Sequence, residues 1–408
     1  MLNVLSREKQ AALAAKGQPF AYIVLLLLCL SCGVSEALAR NLVRILLLLS
    51  LLSCFFLPEF RQKLARQKKL LLGFGSIYLL QAVSALGTGK FMETLLTNEV
   101  WYSYSILLMF ILPCLGLSGR QIRRCLYLLF AMLLLNDIMV VKQFLSGLAR
   151  PTGFLHGVGA MTAVYMAVTP VLLVAFFSPV SKGEKLLLGL NLAAAMLAIF
   201  YLNTRGGWIS IACVIAFLLI FYRHKVNWKK LLAVMLIALA ALFGITQVSQ
   251  TQQSRVTSLV ESFTGQREDG RMDIWRGTIA MIKDHPVTGV GLHRFQEELY
   301  GNYLDVTKIK EKREHAHAHN IILHLLAENG IIGLGLVASV VAYMLKELWG
   351  KRSNAYAMMA FAATLGILLY GMTDYPFKLY EAMRVYWLCM GLCFAGLALS
   401  TDSQISES

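Results

Sequence analysis

Charged residues are scarce in this chain of 408 residues: they make up 15% of it, against 57% for hydrophobic residues. Soluble domains use about 25% charged residues, which they need to cover their surface. The scarcity therefore excludes an ordinary soluble protein. Acidic residues are rarer than basic ones: the chain has 23 Asp and Glu against 38 Lys and Arg. In a soluble protein the resulting net charge of +15 would suggest a nucleic-acid partner.

Several common motifs are also missing. The eight cysteines lie in or beside apolar runs, and the CxxC formed by Cys29 and Cys32 has no second pair, so we predict neither a disulfide scaffold nor a zinc or redox centre there. The chain has no P-loop, no dinucleotide fingerprint and no internal repeat. The function classes that those motifs mark are therefore not indicated.

Long apolar runs, by contrast, are abundant. A membrane-spanning helix needs about 20 mostly apolar residues, and twelve runs qualify, centred near residues 29, 49, 78, 109, 135, 168, 194, 215, 239, 338, 363 and 391. The first run, from Phe20 to about Leu38, has no small-residue cleavage site, which favours a retained helix over a signal peptide. The sequence thus predicts an all-α polytopic membrane protein with about 12 transmembrane helices.

The distribution of Lys and Arg predicts the orientation. Twenty of them fall in the terminal segment and alternate loops of one side, whereas the short loops of the other side and their flanks hold eight. Because positive residues stay on the cytoplasmic side, we expect both termini in the cytoplasm. Most of the net charge then faces the anionic inner leaflet, so it is a topology signal and indicates no nucleic-acid partner.

The predicted organisation has three parts. Residues 1–248 hold helices 1–9, residues 249–318 form a large external loop, and residues 319–408 hold helices 10–12 and a cytoplasmic tail. Ten basic and ten acidic residues cancel in the loop.

Within this loop the pattern predicts an amphipathic helix over 270–284, ended by Asp284-His285-Pro286 and followed by a turn at Gly289-Val290-Gly291. Such a helix can lie on the membrane or cap a cavity. Its predicted apolar side consists of Ile274, Trp275, Ile279 and Ile282.

Three histidines alternate where the loop re-enters the membrane: His315, His317 and His319. On an extended chain they would share one face and could bind a metal, with Glu311, Glu314 or Glu328 in support. A solvated loop and a catalytic or ligand-orienting histidine are the two other interpretations, and we favour the last.

His319 is the preferred member of this cluster. Asn320 can cap the helix that follows, which places His319 at a helix N-terminus, where the dipole disfavours the imidazolium form. A neutral ring can accept a proton. His324 lies further into that helix and is predicted to be a core histidine with a hydrogen bond.

Two arginines could bind phosphate through their guanidinium forks. Arg205 lies in a predicted tight external turn whose glycines, Gly206 and Gly207, would let a ligand approach the backbone; alternatively it reaches the lipid headgroups. Arg271 opens the loop helix and could instead pair with Asp273 or Glu268.

Two carboxylates, Asp137 and Asp374, lie at or near membrane depth. Ionisable groups there are functional candidates, although each could simply be the partner of an arginine.

Three stretches together resemble the bacterial O-antigen ligases and the ligase/polymerase superfamily that shares their C-terminal region. They are TRGGW at 204–208, GRMDIWRGTIAMIKDHPVTGVG at 270–291, and His319-Asn320 followed after nine residues by Gly330 and after two more by Gly333. The resemblance covers the whole chain in layout and about residues 200–335 in motif. The N-terminal half adds only the loop from Arg150 to Phe154.

The resemblance implies a GT-C-like glycosyltransferase in the bacterial inner membrane with a periplasmic active site. It would transfer O-antigen polysaccharide from undecaprenyl diphosphate to a sugar of lipid A-core, with inversion and without a cofactor or metal. His319 would be the general base, and Arg205 and Arg271 would hold the diphosphate. Candidate supporting residues are His317, Asp374, Arg150 and Asn320.

Two alternatives stay open from the sequence. An O-antigen polymerase or a protein O-oligosaccharyltransferase of the same superfamily would share the donor chemistry and differ in the acceptor. A transporter or flippase of lipid-linked glycan would also have many spans, but its halves would repeat, and these halves do not correspond.

Overall fold

The structure is a computed structural model of the chain that describes residues 6–87, 104–227, 229, 271–304 and 317–407. Within these ranges all regular structure is helical. In chain order the α-helices are α1 Arg7–Ser31, α2 Glu36–Phe56, α3 Pro58–Ala65, α4 Lys68–Gly87, α5 Leu107–Ile111, α6 Gly119–Leu145, α7 Val158–Phe177, α8 Lys182–Tyr201, α9 Arg205–Phe221, α10 Arg271–Asp284, α11 Phe295–Glu298, α12 Ile321–Gly350, α13 Ala355–Gly371 and α14 Tyr380–Glu407.

Eleven of the twelve predicted spans coincide with apolar helices. In the described part of the chain, seven helices are long and apolar enough to cross a membrane: α2, α4, α6, α7, α8, α12 and α14. Four shorter apolar segments accompany them, namely Gly17–Ser31, Tyr104–Leu115, α9 and α13. The ninth predicted span and loop residues 249–270 and 305–316 lie outside the described residues. The prediction of an all-α polytopic membrane protein is confirmed.

The predicted first run is wrong at its C-terminal end. Helix α1 stops at Ser31 and α2 begins at Glu36, so the turn between them falls inside the run from Phe20 to Leu38. Gly33 in that turn has a φ of 98°, and its carbonyl accepts a hydrogen bond of 3.0 Å from the amide of Asn136. The apolar pattern continues through this turn because the turn itself is buried inside the protein.

Helix α7 is the centre of the bundle. It packs against α8, α9, α13 and α14, and nearly all of its residues are buried. Its Tyr165 is fully buried, and the hydroxyl donates a 2.6 Å hydrogen bond to Asp137 Oδ1 on α6. The described partner of Asp137 is therefore a tyrosine rather than an arginine, which indicates a structural role in the bundle.

The long helix α12 is broken at Gly330, whose φ of 61° and ψ of −166° are not helical. Residues 286–291 fill the break, and we call this segment the clip. The amides of Val290 and Gly291 donate to the carbonyls of Ala327 and Glu328, at 2.8 and 3.0 Å. In the other direction, the amides of Ile331 and Ile332 donate to the carbonyls of Pro286 and Val287, at 3.0 and 3.4 Å. The backbone groups that the kink frees are thus satisfied by the clip.

Helix α10 runs into the clip and packs against α12. The predicted end at Asp284 is confirmed, as is the turn through Gly289 and Gly291, which have positive φ values of 69° and 101°. The predicted apolar face is partly wrong, because Ile279 is 44% exposed. The residues that α10 buries are Ile274, Gly277, Thr278 and Met281. Gly277 lies there because Leu299 and the Tyr303 backbone leave no room for a larger side chain.

Gly289→Ala tests the clip. A methyl group at this position would lie 2.4 Å from the carbonyl carbon of Glu328, and the positive φ adds strain. We expect a loss of stability of about 2 kcal/mol or more, measured as a lower unfolding temperature of the purified protein. Gly335→Ala in α12, the helix that the clip contacts, is the matched control, since nothing lies within 4 Å of its added methyl. Equal unfolding temperatures for the two variants would contradict the role of the clip.

Candidate functional site

The candidate site lies at one end of the bundle, where α7, α9, α12 and α14 begin and α13 ends. At its centre is Asp374, in the turn between α13 and α14, which is 9% exposed. Its neighbours come from segments far apart in the chain. Fixed loops at the ends of packed helices are a common place for functional side chains.

Asp374 accepts four hydrogen bonds. Its Oδ1 atom lies 3.1 Å from His317 Nε2, 3.1 Å from His319 Nδ1 and 2.8 Å from the amide nitrogen of Tyr375. Its Oδ2 atom accepts a 2.7 Å hydrogen bond from the hydroxyl of Tyr370. Four donors converge on one buried carboxylate, which is the arrangement that an ionised aspartate requires.

These contacts fix the ionisation of the site. Burial by itself would raise the pKa of Asp374, but the hydrogen bonds and charges of His317 and His319 outweigh it and lower the pKa below the usual aspartate range. Burial lowers the pKa of His317 from its ordinary value, more than its hydrogen bond to Asp374 raises it. An ionised Asp374 needs donors, so the nitrogens facing it, Nε2 of His317 and Nδ1 of His319, carry protons. In the tautomer of His319 that carries its proton on Nδ1, Nε2 is the acceptor atom of the ring.

The backbone around His319 is set by Asn320. As predicted, Asn320 caps α12: its Oδ1 accepts from the amides of Ile322 and Leu323, both at 3.0 Å. Its Nδ2 donates to the carbonyl of Met372 at 3.0 Å, which ties the start of α12 to the turn that carries Asp374. His319 has a φ of 50°, a strained value for a residue other than glycine, and such strain is common at functional sites.

Helix α10 reaches the segment that carries the two histidines. The indole of Trp275 donates a 2.8 Å hydrogen bond to the carbonyl of Ala318, between the two histidines. Arg271, at the first position of α10, lies close enough to Tyr370 for its charge to act on the phenol. Asp273, the alternative partner considered for Arg271, instead pairs with Arg276 at 3.2 Å. The other alternative, Glu268, lies outside the described residues.

Arg205 is the first residue of α9, and the predicted tight turn ends before it. Gly206 lies inside the helix, where an added methyl would be 2.0 Å from Thr373 Oγ1. The glycine is therefore needed for close packing of α9 on the turn before Asp374, which corrects our expectation that it exposes backbone to a ligand. Thr204 makes no side-chain cap, since its hydroxyl bonds to Thr162 at 3.1 Å.

No pattern in the sequence singles out Lys378. It follows Asp374 by four residues, and its charge acts on His317, His324 and Glu328. Its effect on these three groups depends on the folded arrangement of charges and has no signature in the sequence.

His324 is fully buried, as predicted, but the expected hydrogen bond is not formed. Its Nε2 lies 3.4 Å from Glu328 Oε2, and its ring packs on Tyr375 with the ring centres 4.0 Å apart. Neither ring nitrogen has a hydrogen-bond partner in the described part of the chain.

Among the described residues, one group could hold a metal ion: His317, His319 and Asp374, whose ligand atoms lie within 4.8 Å of one another. Two imidazoles and a carboxylate suit several transition metals. The third histidine of the sequence cluster, His315, lies outside the described residues.

Arg150 is exposed in the loop between α6 and α7. The neighbouring carbonyl of Ala149 accepts a 2.9 Å hydrogen bond from Asn203, two residues before Arg205. The structure thus brings Arg205, Arg271, His317, His319, Asn320 and Asp374 to one end of the bundle and places the loop of Arg150 beside them.

The fold and the site define a polytopic membrane protein with a histidine–aspartate cluster and arginines at one end of its helices. Residues 190–338 match the model of a family described as O-Antigen ligase. The resemblance inferred from the motifs is confirmed over this region, which contains Arg205, Arg271, His317 and His319. The match supports a function of the polysaccharide ligase or polymerase type.

Two curated relatives align with parts of the chain. One is an uncharacterized protein of Haemophilus influenzae, 23% identical over 207 residues, which are 47% of this chain and 52% of the relative. The other is a Rickettsia conorii protein provisionally named a polysaccharide ligase, 25% identical over 167 residues, or 40% of this chain and 38% of the relative. The chain therefore spans about half of the first relative's length and less of the second.

Asp374→Asn tests the central carboxylate. An amide offers one acceptor oxygen in place of two and adds donors, so at least one present donor loses its partner. We expect a loss of about 1–3 kcal/mol in stability, measured by thermal unfolding at neutral pH. Folding lowers the pKa of Asp374, so its contribution is present above the usual aspartate range and is lost as the pH falls below it.

The matched control is Asp273→Asn, which removes an exposed carboxylate paired with Arg276. Such surface pairs contribute about 0–1 kcal/mol. If Asp374→Asn unfolds at the same temperature as this control, Asp374 does not hold the site together.

Proposed function

We propose that this protein is an O-antigen ligase. It transfers O-antigen polysaccharide from undecaprenyl diphosphate to a sugar hydroxyl of lipid A-core at the periplasmic face of the inner membrane. The family match supports this proposal at the level of a polysaccharide ligase or polymerase. The observation that carries the assignment is the pair formed by His319 and Asp374, at the same end of the bundle as Arg205 and Arg271.

His319 acts as the general base. Its Nδ1–H donates to Asp374, which orients the ring, and Nε2 takes the proton of the acceptor hydroxyl. The carboxylate stabilises the imidazolium that forms. A positioned base of this kind contributes roughly 10²- to 10⁴-fold to the rate. The acceptor oxygen attacks the anomeric carbon as the bond to the diphosphate breaks, so the reaction inverts that carbon without a covalent sugar intermediate.

The leaving diphosphate is held by Arg205 and Arg271. Its charge grows as the glycosidic bond breaks, and fixed cations stabilise that charge in the transition state. Arg205 begins α9, so the positive end of the helix dipole points the same way. These groups provide the stabilisation that a metal would otherwise supply, and we therefore propose transfer without a metal or cofactor.

A cavity of about 420 Å³ between α4, α12, α13 and α14 supports a lipid-linked donor. Its walls are mostly apolar side chains, including Phe74, Leu325 and Met383. Its polar part contains Glu328 and Lys378. Tyr375 also lines the cavity, and its ring centre lies 6.1 Å from that of His317, so the cavity borders the histidine site. A prenyl chain could lie in this cavity with its diphosphate at the site.

The positions of basic residues support a periplasmic site and cytoplasmic termini. The bundle end opposite the site carries Arg61, Lys63, Arg66, Lys68, Lys69, Arg120, Arg123, Arg124, Lys182, Lys185, Arg223, Lys225, Lys346, Lys351 and Arg352. Its described acidic residues are far fewer. Basic residues of this kind face the cytoplasm in membrane proteins.

His319→Ala tests the base. With purified undecaprenyl-diphosphate donor and lipid A-core, we expect the rate of transfer to fall by about 10²-fold or more, because the acceptor loses its proton acceptor. His224→Ala is the control, since His224 is exposed at the opposite end of the bundle.

Full activity in His319→Ala would overturn the assignment of His319 as the base. A wild-type protein that moves the lipid across the membrane without transferring sugar would overturn the proposal that the protein is an enzyme. A chelator in the same assay tests the metal: lost activity that returns with a divalent cation would contradict the metal-free reaction. In a deletion strain, lipid-linked long chains with bare core support a ligase, whereas core with one repeat unit indicates a polymerase.

Arg271→Gln tests the diphosphate contact. Charge-assisted hydrogen bonds contribute about 1.5–3 kcal/mol each, so we expect kcat/KM for the donor to fall by about 10- to 100-fold. Arg276→Gln on the same helix is the matched control, because Arg276 is exposed and pairs with Asp273. Equal kinetics for the two variants would remove Arg271 from the donor site.

A further inference from the structure

The loop between α6 and α7, residues 146–157, is unusual because side chains from neighbouring elements fix it. It contains no regular helix. Gln143, near the end of α6, makes three hydrogen bonds to it: its Nε2 donates to the carbonyl of Gly153 at 2.8 Å, and its Oε1 accepts from the amides of Thr152 and Gly153, at 2.9 and 3.0 Å.

Three other residues hold the same loop. Asn136 accepts from the amide of Phe154 at 3.1 Å, and Asn203 donates to the carbonyl of Ala149 at 2.9 Å. Glu381 on α14 accepts from the amide of His156 at 3.2 Å and contacts its Nδ1 at 2.5 Å. Surface loops are usually the mobile part of a protein. A loop held this firmly presents its exposed side chains in one fixed arrangement, which is what a binding site needs.

The side chains that the loop presents differ from those of a passive connection. Arg150 and Phe154 are exposed, and the side chain of His156 is 82% exposed. The loop contains no Asp or Glu. Glu381 raises the pKa of His156 through its hydrogen bond and charge, so the ring stays protonated to a higher pH than an ordinary histidine. Cationic hydrogen-bond donors beside an exposed aromatic ring suit an anionic sugar.

The loop also borders the site already described. Asn203, which holds its first half, precedes Arg205 by two residues. Its second half leads into α7, where a methyl added to Gly159 would lie 3.1 Å from Asp374 Oδ2. The start of α7, three residues after His156, therefore lies beside the carboxylate that holds His319.

We propose that residues 146–157 form a subsite for the acceptor, in which Arg150 and His156 bind a phosphate or carboxylate on the acceptor glycan and Phe154 packs against a sugar ring. This inference rests on the proposed function for the identity of the acceptor. The donor diphosphate has its own cations in Arg205 and Arg271, so the loop is assigned to the acceptor. Gln143 is a positioning residue, since it reaches the loop backbone only.

The test measures binding to the purified full chain without transfer. The probes are phosphorylated lipid A-core, the same glycolipid after enzymatic dephosphorylation, and undecaprenyl diphosphate. For Arg150→Gln we expect the Kd of the phosphorylated glycolipid to rise about tenfold, with less than about a twofold change for the other two probes. Gln143→Ala should show the same selectivity, because the loop loses three hydrogen bonds.

Arg44→Gln is the matched control: it removes an exposed arginine of α2 whose side chain bonds to Asn41 on the same helix. The subsite is contradicted if Arg150→Gln binds the phosphorylated glycolipid as Arg44→Gln does, if dephosphorylation leaves the wild-type Kd unchanged, or if the donor lipid is weakened equally. Selective binding without transfer by the wild type would overturn the proposed function and leave the subsite intact. Sugar transfer by the wild type with equal binding of the phosphorylated and dephosphorylated glycolipids would contradict the subsite and leave the proposed function intact.

Discussion

The site depends on one buried carboxylate. Asp374 accepts hydrogen bonds from both histidines and from the hydroxyl of Tyr370 on α13. It lies in the segment that leads from α13 to α14. A buried charge is costly unless donors surround it, so the protein must keep these segments together for Asp374 to remain ionised. The same requirement orients His319, because only its Nδ1 can donate to the carboxylate. The contacts that keep Asp374 ionised therefore also set the orientation of the His319 ring.

The break in α12 makes this arrangement possible. An uninterrupted helix of 30 residues would need no partner along its length, but the kink at Gly330 requires outside donors and acceptors. Residues 286–291 supply them, and these residues follow directly from α10. The clip therefore links two things that the site needs: the helix that carries Arg271 and the helix whose start holds His319. Motifs far apart in the sequence are parts of one contact.

Much of this fold could be predicted from the sequence, and the limits have physical causes. Apolar length located eleven spans, and the capping chemistry of Asn320 placed the start of α12. The turn at Gly33 was missed because it is buried, so the residues before and after it are mostly apolar and continue the run. Asp374 was recognised as a candidate, but its link to His317 and His319 spans more than 50 residues, and no local pattern encodes such a contact. The packing role of Gly206 was hidden for the same reason.

Charge is arranged differently at the two ends of the bundle. The end opposite the site carries many exposed basic residues, of the kind that face the cytoplasm in membrane proteins. At the site end, acidic residues offset the basic ones, and two of the cations are held by carboxylates: Arg384 is buried against Glu36, and His156 is fixed by Glu381. A nearly neutral surface attracts anions weakly at long range, so the anionic substrates that we propose would be recognised by a few positioned donors at contact distance.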